Sequence, residues 1–95
     1  MIHVRKTEPE FFRAVVEGRK TFEARKEDNA IFSAGDLLVL EELDETGRAT
    51  TGVIYVAEIT YVLRDPRFVQ AGYAILSIRR AELVEANPFD SGVSE

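Results

Sequence analysis

The run Thr51–Leu63 constrains this chain more than any other feature. Its thirteen residues include Val53, Ile54, Tyr55, Val56, Ile59, Thr60, Tyr61 and Val62, and they read as one β-strand about twice the usual length. In a chain of 95 residues such a strand has to bend, with Gly52 or the Ala57-Glu58 step taking the turn. A long curved strand shared between two sheet edges is how small barrels close. The length allows one domain and no second. With no cysteine present, neither a disulfide framework nor a thiolate metal site is available, so a packed core has to carry stability.

The remaining elements fit around that strand. Ile2 and Val4 alternate with polar residues and predict a short opening strand. Thr7-Glu8-Pro9-Glu10 has the form of a capping box with proline in the first turn, which predicts a helix from Glu8 to Glu17. Phe11, Phe12, Val15 and Val16 make its apolar stripe, and Gly18 ends it. From Lys20 to Lys26 the period falls to two, with Phe22 and Ala24 on one side and Thr21, Glu23 and Arg25 on the other, a strand with one polar face. After the turn Ala34-Gly35-Asp36, the run Leu37–Leu43 begins apolar on both faces and predicts a fully buried central strand. Asp44–Thr51 is a hairpin connection, Arg64–Gly72 a loop and Tyr73–Ile78 the last strand. A short helical turn over 81–86 and a loose acidic tail complete the chain. One early helix, hairpin links and no second helical crossover predict an α+β fold: a mixed or mainly antiparallel β-barrel with the helix packed beside it.

Twelve Lys and Arg against seventeen Asp and Glu leave a net charge of −5, which resists a nonspecific coat on duplex DNA or an anionic membrane. The excess is uneven. Residues 1–26 carry seven basic and four acidic side chains, net +3, and the rest carry five and thirteen, net −8. A small positive cleft on a negative body suits one phosphate or a short single strand. No window approaches the roughly eighteen apolar residues of a membrane span, and Met1–Lys6 has no apolar core of a secretion signal, so the expected location is the cytoplasm.

Classical hydrolase machinery is missing, because His3 is the lone histidine and a Ser-His-Asp or Cys-His set needs a suitable base. Three or four nitrogen or sulfur ligands for zinc are not to be found, the glycines are isolated rather than grouped in a phosphate loop, and no cofactor or metal is expected. The dense segment is Gly18-Arg19-Lys20-Thr21-Phe22-Glu23-Ala24-Arg25. Lys20 offers a point charge, Arg25 a planar fork and Glu23 an acceptor for an amino group. The same trio also suits an ion-pair network fixing helix to sheet.

This segment resembles the signature of the ASCH superfamily, Gly-x-Lys-x-x-Glu-x-Arg, filled by Gly18, Lys20, Glu23 and Arg25. Further anchors are similar to those of small single-domain bacterial and phage ASCH-like proteins of unknown function. They are His3, Pro9 with Phe11 and Phe12, the stretch Gly18 to Asp28, Gly35-Asp36, Glu41-Glu42 and Gly72-Tyr73. The resemblance spans residues 1–80. It implies a PUA-like barrel whose signature lines a cleft, and a binding module for single-stranded RNA or a nucleotide-like ligand. Lys20 and Arg25 would meet phosphate or a base edge, Glu23 would orient them, Arg19 and Lys26 would add field at the rim, and Tyr73 would offer a stacking surface. The resemblance also carries an alternative, a small amidohydrolase acting on an acetylated cytidine-type nucleoside. Lys20 matches the lysine of such enzymes, with Glu23 as its partner, although Glu23 stands where they have threonine.

Overall fold

The computed structural model describes residues 1–81; the helical turn and tail expected beyond Ala81 lie outside them. Five strands and one helix follow in the order β1 (Ile2–Thr7), α1 (Pro9–Val16), β2 (Phe22–Lys26), β3 (Leu37–Leu43), β4 (Thr50–Leu63) and β5 (Tyr73–Arg80). The strands form a single curled, half-barrel sheet in the order β1-β3-β4-β5-β2. As expected, the chain is α+β and mostly strand; the middle strand of the sheet is β4. No described helix is long and apolar enough to cross a membrane.

Three of the neighbouring pairs are antiparallel, while β1 runs parallel to β3, with Ile2 opposite Leu37 and Thr7 opposite Glu42. Parallel neighbours cannot be joined by a hairpin, and the detour from β1 to β3 takes in both α1 and β2. β4 earns its length by pairing with β3 along Thr50–Glu58 and with β5 along Ala57–Leu63. Its irregularities fall between Glu41 and Leu43 on the β3 side and between Ile59 and Tyr61 on the β5 side.

The core is the concave face: Leu38 and Leu40 from β3, Ala57 and Ile59 from β4, Ala74, Leu76 and Ile78 from β5, with Phe12, Val15 and Phe32 closing over them. β3 is central, but only Leu38 and Leu40 are fully buried; Leu37 and Val39 point to the convex side and are half-buried. The helix likewise buries Phe12 and Val15 and leaves Phe11 and Val16 exposed.

The capping box does not form. Glu8, not Thr7, is the N-cap, and no side chain caps the helix. Thr7 is still in β1, buried, and its hydroxyl accepts from Arg25 Nη2 at 3.0 Å. His3 is buried in the same strand, 2.8 Å from Asp36 Oδ2 and with its ring 4.6 Å from that of Phe32. Asp36 also accepts from the Ser33 amide and the Met1 amino group. A second clamp holds the 27–36 loop: Glu27 pairs with Arg64 at 2.7 Å and accepts from the Phe32 amide, while Arg64 donates to the Phe32 carbonyl.

Candidate functional site

The two outer strands of the sheet are β1 and β2, and no backbone ladder joins them among the described residues. A seam is therefore left in the half-barrel, and the ionic trio lies along it. Gly18, at φ +79°, stops α1 in the left-handed region that glycine adopts most readily. The amides of Arg19 and Lys20 then fold back onto the Ala14 carbonyl at 2.9 and 3.0 Å. This reversal carries Lys20 back beside Phe11 and starts β2.

β2 is turned the opposite way from a usual amphipathic strand. Glu23 is 2% exposed and Arg25 half-buried, whereas Phe22 and Ala24 face solvent. An isolated carboxylate in that position would cost several kcal/mol of desolvation. Here both of its oxygens are matched: Oε2 by Lys20 Nζ in a short contact, and Oε1 by Arg25 Nε at 2.8 Å and Nη2 at 2.7 Å. The polar side of the strand can turn inward because its charges neutralise one another.

Every guanidinium nitrogen of Arg25 is engaged. Besides Glu23, it donates from Nη1 to the Lys6 carbonyl at 3.2 Å and from Nη2 to Thr7 Oγ1. Arg25 thus ties β2 to β1 across the seam, which explains why Thr7 serves no helix. Arg5 covers the neighbouring edge carbonyl of Val4 at 2.8 Å, so two guanidinium groups occupy backbone acceptors on a strand edge that would otherwise be open to pairing.

Beside the latch lies a hollow of about 400 Å³, within the size range of small-molecule sites. Its floor is Thr7, Glu23 and Arg25, and Leu43 closes one side. Its walls are Phe11 and Phe22, 43% and 47% exposed. Lys20 Nζ sits 4.8 Å from the Phe22 ring centre and 5.9 Å from that of Phe11, within cation–π range. It also donates to the Phe22 carbonyl at 2.7 Å. Lys6 and Glu8 stand at the mouth, exposed.

Of the residues expected to bind, the structure brings Lys20, Glu23 and Arg25 together at this hollow. Glu23 is sealed beneath it and Arg25 has every guanidinium nitrogen committed, whereas Lys20, which donates to Glu23 and to the Phe22 carbonyl, keeps one of its three N–H donors for a ligand. Arg19 pairs with Glu17 at 2.7 Å instead of lining the hollow. Lys26 and Tyr73 face one another in the β2–β5 register, at the far end of β2 and away from it. The residues that sequence reasoning did not place here are Phe11, Phe22, Lys6, Thr7, Glu8, Ala24 and Leu43. A signal existed for Phe22: Glu23 and Arg25 on the other side of its strand, with Lys20 just before it, can cancel in charge and turn inward, leaving the phenyl ring outside.

The family model described as "Domain of unknown function (DUF3850)" matches residues 2–78. The chain belongs to this family. The match takes in all five strands nearly complete, and every residue lining the hollow. No curated protein matches the chain.

Proposed function

We propose that the hollow at the β1–β2 seam binds single-stranded RNA or a nucleotide, in keeping with the resemblance of Gly18, Lys20, Glu23 and Arg25 to the ASCH signature and with a PUA-like barrel. The observation that carries this reading is the Lys20 ammonium held between two half-exposed phenyl rings at an open hollow. Phenyl rings stack on any base, at about 1–3 kcal/mol each, and the ammonium meets the attached phosphate. Single strands present unstacked bases; duplexes do not. The net charge of −5 further disfavours bulk duplex.

Hydrolysis of an acylated cytidine is the weaker reading. A lysine acting as base or nucleophile needs a free electron pair, whereas Lys20 spends its nitrogen donating to Glu23 and to the Phe22 carbonyl. Thr21, which follows the signature lysine in sequence, does not line the hollow.

Fluorescence anisotropy with labelled pentanucleotides tests the binding reading. If Lys20 neutralises one phosphate, log affinity falls against log salt with a slope of about −0.7, at 0.7 per contact on a single strand. Lys20→Met removes that contact and brings the slope close to zero. Binding indifferent to salt, or a slope untouched by Lys20→Met, overturns it. Release of acetate from acetylcytidine would instead favour the hydrolase.

A further inference from the structure

We infer that the hollow selects guanine. This rests on the nucleotide-binding reading above and adds to it the identity of the base. Lys6 and Glu8 are two residues apart in extended backbone, Lys6 within β1 and Glu8 at φ −60°, ψ 146°. Such residues project on one side, about 7 Å apart along the chain. Thr7 between them turns inward and is buried, while Lys6 and Glu8 are exposed at the mouth of the hollow. Among the described residues neither side chain has an ion pair or hydrogen bond. They do not pair with one another, and Glu8, although it is the N-cap, caps nothing.

A carboxylate and an ammonium left side by side at the mouth of an aromatic-walled hollow form an acceptor–acceptor–donor row. A carboxylate has two acceptor oxygens and an ammonium only donors. The Watson–Crick edge that complements that row is donor–donor–acceptor. Guanine alone among the four bases presents it: N1–H and N2–H2 are adjacent donors, and O6 beside them is an acceptor. Cytosine and adenine each follow an amino donor with a ring-nitrogen acceptor, and uracil flanks its single N–H with two carbonyls, so all three set lone pairs against the carboxylate. With the base stacked on Phe11 or Phe22, Glu8 accepts from N1–H and N2–H2, Lys6 donates to O6, and Lys20 remains for the phosphate.

The shared chemistry is the guanine base, whether on a free nucleotide or within RNA, and the test separates the two. Labelled UUGUU, UUAUU, UUCUU and UUUUU are titrated by anisotropy, and GMP, AMP, CMP and UMP by calorimetry. Guanine selection predicts that UUGUU binds at least about tenfold tighter than the other three, the discrimination expected of one bidentate contact. An equal preference among the mononucleotides points to the free nucleotide as sufficient ligand, and preference confined to the pentamers points to RNA. Glu8→Gln presents an amide donor to N1–H or N2–H2 and is expected to shrink the preference for guanine to below threefold, while circular dichroism and the salt slope stay as in the parent. Equal affinity for all four pentamers and all four nucleotides, or a guanine preference that survives Glu8→Gln, overturns guanine selection and leaves nucleotide binding standing. No binding of any of the eight overturns both.

Discussion

Replacing Arg25 with alanine should open the seam, and the structure sets the size of the loss. The substitution removes contacts from all three guanidinium nitrogens: to Glu23, to the Lys6 carbonyl and to the Thr7 hydroxyl. Hydrogen bonds to charged groups contribute about 1.5–3 kcal/mol each, and stripping one partner from a buried pair costs about 3–5 kcal/mol. Two features reduce that figure. Lys20 remains on Glu23, and the Arg25 side chain is 20% exposed, so water reaches part of what it leaves. We expect a loss of about 2–3 kcal/mol, which for a domain of this size lowers the melting temperature by roughly 8–24 °C. Urea unfolding at pH 7 measures it, with Arg19→Ala as the control: that exposed pair with Glu17 contributes about 0.5 kcal/mol or less. Combining Glu23→Gln with Arg25→Ala should recover about 1–2 kcal/mol relative to adding the two single losses, because a neutral amide no longer needs its cation. A loss for Arg25→Ala no larger than for Arg19→Ala, or strict additivity in the double variant, would refute the latch.

Two further perturbations follow from the same geometry. Contact with His3 is the largest influence holding Asp36 down, against the opposing effect of its burial, and the Met1 amino group and the Ser33 amide add to it; together they lower the carboxyl from 3.8 to about 2. A depressed carboxyl stabilises the fold above its unfolded value and loses that contribution as pH falls through the folded one, so roughly 2 kcal/mol should disappear between about pH 4 and pH 2. Urea midpoints across that range should fall less steeply in Asp36→Asn than in the parent, and parallel curves would contradict this. Phe22→Ala should weaken pentanucleotide binding about 5- to 150-fold, the worth of one stacked base, while costing little stability because the ring is 47% exposed; a large drop in melting temperature with affinity intact would place the ring in the core instead.

The strand framework was legible because its signals are local. The β-branched run of β4, the glycine at Gly18 and the turn at Gly35-Asp36 each dictate backbone conformation within a few residues. The parallel pairing of β1 with β3 was not legible, since Ile2 and Val4 announce a strand without saying which neighbour it takes. Thr7 shows the same limit from the other side: its spacing to Glu10 has the form of a capping box, but Arg25, eighteen residues on, takes its hydroxyl. At the site, Lys20, Glu23 and Arg25 could be picked out as a group from their spacing. Which of them faces outward could not, because that depends on whether their charges cancel, and cancellation is a property of the folded seam. Phe11 and Phe22 were hidden by a rule that is usually sound, that an apolar residue on an amphipathic element faces inward. Inverting β2 to bury its ionic side brings Phe22 out, and the reversal at Gly18 brings Lys20 up against both rings.

Ligand binding at the β1–β2 seam is tested most directly by a map of amide shifts, in which ¹⁵N-labelled protein is titrated with a single-stranded pentanucleotide. The largest changes should cluster at Lys6 to Glu8, at Phe11 and from Lys20 to Arg25, with Lys26 and Tyr73 little affected. Changes centred on Tyr73 and Lys26 or on the outer face of β4, with the seam silent at saturating ligand, would contradict it.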